Sequence, residues 1–369
     1  MRIVVLGCGG IGGTLAARLV RAGADVTPVT GNAEIARILV ERGFRVQDFG
    51  GGEWTVQTQR EPLVRLPEAP APVGQRFDLC IAATQSTTLE EALASVRPHL
   101  ADDGVVLCCQ NGLPEERAAA VVGAERVLGG VVGWGASMIE PGRYQRTSSS
   151  QGVLALGRPG PASPDPERVA AVLTPAAPVE VMPDLAAVRW SKLAINCVTS
   201  ALGAVGGERL GPLLSHRFVR RLALEVFAEV ADVARALGVW PAPLAGTLDI
   251  EKLAITPAER LQRLGSPSLA YKHSILLAVG LKYRRMRSSM LYAIERGRPP
   301  EIDHLNGEVV RRGAAHGLAT PINAALVEVV HRLVRERTAA NGVRSELALL
   351  RALYEETIGG GAAALSRAA

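Results

Sequence analysis

Aromatic residues are scarce in this 369-residue chain: four Trp, five Tyr and five Phe make up 4% of it, so its core has to be packed mainly from aliphatic side chains. Cysteine is equally sparse. The five, Cys8, Cys80, Cys108, Cys109 and Cys197, lie in apolar runs with neither metal-ligand spacing nor a disulfide framework, which fits buried free thiols in a reducing compartment and no metal. No stretch reaches the roughly 18 consecutive apolar residues of a membrane span, and the apolar start at Ile3 breaks at a glycine cluster with no cleavage-type segment behind it. Nucleic-acid motifs are missing as well. The net charge of +5 is spread along the chain, which suits attraction of a small anion rather than a polyanion. There is no internal repeat. The expectation is a cytoplasmic protein that binds neither membrane nor nucleic acid.

What is present is apolar surface in plenty, 48% hydrophobic against 21% charged residues, in a chain long enough for two cores of roughly 150 to 200 residues. Residues 2–6 (RIVVL) form a β-branched run, a glycine loop follows, and a helical pattern through Leu15, Leu19 and Val20 ends at Gly23. A second strand at Asp25–Val29, a helix near Ala33–Glu41 capped by Gly43, and apolar runs at Leu79–Ala83 and Val105–Cys108 continue the alternation. Such alternation predicts a Rossmann-type, doubly wound parallel sheet, hence an α/β fold class. The segments Glu61–Gly74 and Gly157–Pro166 read as surface connections. Beyond residue 184 strand signals fade. Helical patterns at Leu185–Leu202, Val219–Leu237, a basic stretch near Tyr271–Arg296 and Glu301–His316 predict a mainly α-helical second domain. The expected boundaries are 1–183 for the dinucleotide-binding domain, 184–357 for the helical domain and 358–369 for a flexible tail.

Gly7-Cys8-Gly9-Gly10-Ile11-Gly12 matches GxGxxG directly after a strand and at the opening of a helix. In that context the first glycine makes the turn, the second admits a pyrophosphate and the third lets helix pack on strand, with the helix-start N–H groups facing the phosphates. A bare structural turn is the bland alternative. The tip of the second strand, Val29-Thr30-Gly31-Asn32, carries no acid for a ribose hydroxyl and no arginine for a 2′-phosphate, while Glu34 and Arg37 lie just beyond it.

In RWSKLAINCVTSALG, Lys192, Asn196 and Ser200 fall at i, i+4 and i+8 and share one helix face. If that polar stripe lines a ligand site, desolvation lowers the lysine pKa and makes it a general acid for a carbonyl oxygen receiving hydride; a snorkelling surface lysine is the alternative. Prolines before Glu301 suit a helix start, where the dipole favours an ionised carboxylate able to accept a substrate hydroxyl. An ordinary first-turn acid is the alternative there.

Four segments in order, VLGCGGIGG, CQNG with Asn111, WSKLAINCV, and SSML followed by EIDHLNG, resemble the ketopantoate reductase (2-dehydropantoate 2-reductase) family from end to end. The resemblance implies reduction of a 2-oxo acid by a reduced nicotinamide cofactor, with Lys192 as the acid and Glu301 holding a substrate hydroxyl. It implies Asn111 beside the nicotinamide, helping to place the lysine, and Asn196 and Ser289 on the substrate's polar groups, Ser289 being the carboxylate contact. Glu301 and Asn111 join Gly7, Cys8, Gly9, Gly10, Ile11 and Gly12 as cofactor residues. The chain departs from the family where Ser200 stands for a common asparagine, Met286 for another polar residue and Ala293 for an aspartate. The family's cofactor-phosphate arginine falls near Gly31, and Gln85 replaces a frequent lysine. NADP(H) is the cofactor the resemblance implies; NAD(H) stays open because those basic contacts are not apparent. The partner is a small 2-oxo acid, and a homodimer is allowed. The chain is also longer between Lys192 and Ser289, with the excess in Pro241–Tyr283 ending in the basic run Lys282–Arg287: a solvated helix face, or an electropositive rim for a larger anion or a partner subunit. A related 2-hydroxyacid dehydrogenase and a non-catalytic dinucleotide sensor are the rival functions.

Overall fold

In residues 2–6 every side chain from Ile3 onward is buried, which a strand achieves only when both faces of its sheet are covered. The computed structural model describes residues 1–359 apart from 70, 73, 148–151, 245–246, 262–265 and 337–345; the part of the expected tail from 360 onward lies outside the described residues. The chain divides into two units, Met1–Ala186 and Ala187–Ala369.

In the first unit the order is β1 (Arg2–Leu6), α1 (Gly10–Arg21), β2 (Asp25–Val29), α2 (Ala33–Arg42), β3 (Phe44–Gln47), β4 (Glu53–Val56), β5 (Phe77–Ala82), α3 (Leu89–Val96) and β6 (Leu100–Cys108). Then come α4 (Glu115–Val122), β7 (Val127–Val132), β8 (Ala136–Glu140), β9 (Arg143–Arg146), β10 (Leu154–Gly157), α5 (Pro166–Leu173) and β11 (Val179–Val181). The main sheet runs β11-β10-β7-β6-β5-β1-β2. Alternate residues divide between its faces. Ile3, Val5, Leu79 and Ile81 join Leu15 and Leu19 of α1 and Val169 and Leu173 of α5, whereas Val4, Leu6, Cys80 and Ala82 join Leu89 and Leu93 of α3 and Ala118 and Val122 of α4. Each fully buried aliphatic side chain contributes about 1.5–3 kcal/mol. The doubly wound expectation holds, with one correction: β10 pairs antiparallel with β7, so the sheet is mixed.

A second sheet, β4-β3-β9-β8, lies against the outer side of α1 and has no counterpart in the sequence reading. A Cβ on Gly10 would lie 2.2 Å from the Ala136 carbonyl oxygen, and one on Gly13 would lie 2.2 Å from the Tyr144 ring. These two glycines therefore let the second sheet approach.

The second unit is helical: α6 (Leu185–Gly206, which begins at the boundary), α7 (Leu210–Ser215), α8 (Arg217–Ala236), α9 (Ile250–Leu253), α10 (Pro257–Leu261), α11 (Pro267–Lys282), α12 (Ser289–Glu295), α13 (Asn306–Ala315), α14 (Pro321–Glu336) and α15 (Leu347–Tyr354). The central helix is α8, packed against α7, α9, α11, α13, α14 and α15. Two expectations are corrected. The stretch Tyr271–Arg296 is two helices, because Ser288 caps α12 by accepting from Leu291 N at 3.1 Å and so starts a new helix. The helix expected from Glu301 begins at Asn306; Ile302–His304 is a single 3-10 turn, and Leu305 (φ −114°, ψ −95°) separates the two. A π-helical turn spans Glu355–Gly359. No helix among the described residues is long and apolar enough to cross a membrane, and none of them form a cluster of three or more His, Cys, Asp or Glu suited to a metal.

Candidate active site

The strand order reverses between β1 and β5, and ligands of open α/β sheets bind outside the carboxyl ends of strands at such a point. The glycine loop sits there. Gly7 has φ +95°, and a Cβ on it would meet Ala83 O and Thr84 N at 2.8 Å, so only glycine fits. A Cβ on Gly12 would lie 1.9 Å from Gly7 O, which makes Gly12 the packing glycine. At Gly9 there is open space with nothing within 4 Å. Gly9 is also the N-cap of α1 and supplies no side-chain cap, so the helix-start N–H groups face that space, the donor set a pyrophosphate requires. The loop is pinned from below: Cys8 Sγ donates to Val29 O at 3.7 Å and Tyr144 Oη donates to Cys8 O at 3.0 Å. Burial pushes the Cys8 thiol up to about 12, so it stays protonated. Only the backbone of Cys8 remains for a ligand, and the half-buried Ile11 packs on the core.

At the tip of β2, Asn32 is occupied in capping α2, accepting from Glu34 N at 2.9 Å and Ile35 N at 3.2 Å. A Cβ on Gly31 would meet nothing within 4 Å. Arg37 holds Glu41 at 2.6 Å on the exposed face of α2. Asn111 follows β6, half-buried, its carbonyl accepting from Ser86 Oγ at 3.3 Å.

In the second unit α6 carries the polar stripe. Lys192 is half-buried, and Asn196 and Ser200 are buried at 9% and 8% exposure. Burial first, and then the positive charge of Arg189, lower the Lys192 pKa from 10.5 to about 8. A lysine poised there gives up its proton far more readily than a surface one. Asn196 Nδ2 is a buried donor with no hydrogen-bond partner among the described residues, an arrangement that costs about 1–3 kcal/mol unless a ligand supplies the acceptor. Ser289 is the exposed first residue of α12. Its neighbour Ser288 reaches α6, donating to Ser200 O at 2.7 Å. Glu301 is half-buried ahead of the 3-10 turn, so its setting is a turn and not the first turn of an α-helix.

The sequence reading missed the residues that hold this helix in place. Asn306 donates through Nδ2 to Cys197 O at 3.3 Å and to Asn323 Oδ1 at 2.9 Å. Asn323 Nδ2 in turn donates to Glu229 Oε2 at 2.7 Å, while Ile322 N and Asn323 N donate to the two Glu229 oxygens at 2.9 Å each. Glu229 thus serves as the cap of α14 from a different helix. Burial raises its pKa against the effect of those donors. The signal was there: Glu225 and Glu229 stand four apart among the buried apolar residues of α8.

A Rossmann unit with open space at its glycine loop, followed by a helical unit bearing a half-buried lysine of lowered pKa, fits an oxidoreductase of the kind acting on CH–OH groups. Two family models, for the N-terminal and C-terminal parts of ketopantoate reductase PanE/ApbA, match residues 3–160 and 184–334. The chain belongs to that family. It is 25% identical to the 2-dehydropantoate 2-reductase of Pyrococcus horikoshii over 332 residues, 89% of this chain and 96% of the relative. Among solved structures it is similar to a PanE/ApbA family ketopantoate reductase from Ralstonia eutropha (TM-score 0.72, 24% identity, covering 91% of this chain and 99% of that one). The fold is equally similar to a D-mandelate dehydrogenase with NADH and anilino(oxo)acetate (TM-score 0.74, 22% identity, 91% and 99% covered).

Proposed function

We propose that this chain reduces 2-dehydropantoate (ketopantoate) to pantoate, with Lys192 as the general acid. The observation that carries the reading is the pKa of Lys192, brought to about 8 by burial and Arg189: at neutral pH the ammonium is charged yet close enough to the working range to release its proton. A bound reduced nicotinamide supplies the hydride. Lys192 Nζ gives its proton to the ketone oxygen as negative charge builds there. Its positive charge also stabilises that oxygen before the proton moves. Asn196 Nδ2, the unpartnered donor one turn along the same face, takes an oxygen of the substrate. Ser200 and Ser289 are assigned to its remaining polar groups, and Glu301 accepts from its hydroxyl.

On the cofactor side the glycine-loop backbone from Gly7 to Gly12 holds the pyrophosphate, and Asn111 lies beside the nicotinamide. Family membership supports NADP(H). The tip of β2 offers neither a free arginine nor an acid, since Arg37 is held by Glu41 and Asn32 caps α2, which supports use of NAD(H) too.

A related 2-hydroxyacid dehydrogenase is the second reading. It is favoured by the serine at position 200, which places a shorter side chain at a buried point of the stripe than the family's usual asparagine, and by the likeness of fold to D-mandelate dehydrogenase. The test follows oxidation of NADPH and, separately, NADH with ketopantoate and with a panel of bulkier 2-oxo acids. Saturable turnover with ketopantoate, lost in Lys192→Ala with cofactor binding retained, is the expected result. Turnover confined to another 2-oxo acid selects the second reading, and a wholly inert panel removes both.

A further inference from the structure

The N-terminus of α8 opens into a cavity of about 340 Å³ within the helical unit, lined by side chains from α8, α11 and α15. Its charge is one-sided: Arg217, Arg221 and Arg351 line it, and no carboxylate does. Arg221 is held by Glu225 at 2.8 Å. Arg217 and Arg351 have no acidic partner among the described residues. Two unpaired guanidinium groups facing one small cavity repel each other, and a bound anion is what relieves that.

Two further features point the same way. The N-cap of α8 is His216, which makes no side-chain cap, so the N–H groups of the first turn, at Arg217 and Phe218, remain as donors beside the cavity. His273, reaching in from α11, is 9% exposed, and its buried Nδ1 has no hydrogen-bond partner among the described residues. Burial and the charges of Arg220, Arg217 and Arg221 drive its pKa to about 4, which records the positive potential at that point. Leu269 and two aromatic rings complete the wall: the Phe218 ring has the Arg351 guanidinium 4.4 Å from its centroid and Tyr354 edge-on at 6.0 Å.

We propose that this cavity is a binding site for the phosphate group of a small phosphate ester, held by Arg217, Arg351 and the free N–H groups of α8, with His273 beside it. Arginine forks match phosphate oxygens in pairs, and helix N-termini favour them. A phosphate monoester carries about −1.5 to −2 charges at pH 7, which balances the two unpaired arginines. The site is built within the helical unit and does not depend on the reaction proposed above.

The test is calorimetric titration of the full chain at low salt with inorganic phosphate and with phenyl phosphate, which lacks the adenosine a dinucleotide site would recognise. Both probes should bind. Tighter binding of phenyl phosphate assigns the aromatic wall to an ester's ring, and equal binding assigns the site to phosphate itself. Arg217→Ala and Arg351→Ala, both at exposed side chains, should each weaken binding about tenfold or more without lowering the melting temperature. In the wild type the His273 imidazole should titrate at a higher pH with ligand than without, seen by NMR, because the anion offsets Arg217, Arg220, Arg221 and Arg351. Failure of either probe to bind below concentrations on the order of 10 mM overturns the proposal. So does unchanged affinity in a folded Arg217→Ala/Arg351→Ala double variant.

Discussion

Replacing Lys192 by methionine should slow turnover by orders of magnitude and make the protein more stable. The lysine is carried on α6 with its pKa lowered from 10.5 to about 8, chiefly by burial. At about 1.36 kcal/mol per pKa step, the charged side chain costs the fold up to about 3 kcal/mol at pH 7. That is a large share of the 5–15 kcal/mol typical of a folded domain. A methionine of similar length keeps the apolar contacts of the stem and removes the charge. The sign of the pH dependence follows from proton binding. Between pH 8 and 10.5 the unfolded lysine holds its proton and the folded one does not, so wild-type stability rises through that window. Urea denaturation of both proteins should therefore show Lys192→Met ahead by as much as about 3 kcal/mol at pH 7, with the gap closing by about pH 10.5. In parallel, wild-type kcat/KM should decline above pH 8 as the acid loses its proton, and the variant should lose about 10²–10⁴-fold in kcat. A variant no more stable than wild type at pH 7, or a gap that stays constant with pH, would refute the reasoning from burial.

Gly9→Val should raise the cofactor Kd more than tenfold with an unchanged melting temperature, because its side chain enters the open space of the proposed pyrophosphate site; Gly12→Ala should lower the melting temperature as well, since its Cβ meets Gly7 O. Asn323→Ala should cost about 2–4 kcal/mol in urea denaturation, as it removes two buried hydrogen bonds, the one Asn323 accepts from Asn306 and the charge-assisted one it donates to Glu229. Glu259→Ala should cost about 3–5 kcal/mol, because Lys272, bonded to Glu259 at 2.7 Å, is left as a buried charge. Burial raises the Glu259 carboxyl, but Lys272 and Ser268 outweigh it and hold the pKa at about 2. The Glu259 contribution is thus full above pH 4.5 and lost as the pH falls toward 2, measurable by acid titration of the wild type against Glu259→Gln.

How much was legible in the sequence depends on how local each feature is. Strand β2 falls where hydrophobic periodicity puts it, and α2 ends against Gly43 as that glycine signals. Each rests on a dozen contiguous residues. The second sheet was not legible because its strands are four or five residues long and pair Phe44–Gln47 with Arg143–Arg146 across nearly a hundred residues. Glu301 misled for a related reason: prolines mark a chain that turns, but whether the turn continues as an α-helix was decided by Leu305. In the pair Ser288 and Ser289, composition cannot tell which serine faces inward; Gly203 lets α6 approach so closely that its Cβ would meet Ser288, and Ser288 is the buried one.

The contiguous residues 2–12 alone determined that a strand, a glycine turn and a helix start would present free N–H groups to an anion, because hydrophobic period, φ and helix dipole are properties of neighbours along the chain. The periodicity of α6 likewise set Lys192, Asn196 and Ser200 on one face. Tertiary structure alone decided that Lys192 is desolvated, that Asn196 Nδ2 is left without a partner, and that Glu229, Asn323 and Asn306 fasten α6 through the carbonyl of Cys197. Burial and hydrogen-bond partners are set by segments distant in sequence, and it is these surroundings, more than the kinds of residue, that move a pKa or orphan a donor.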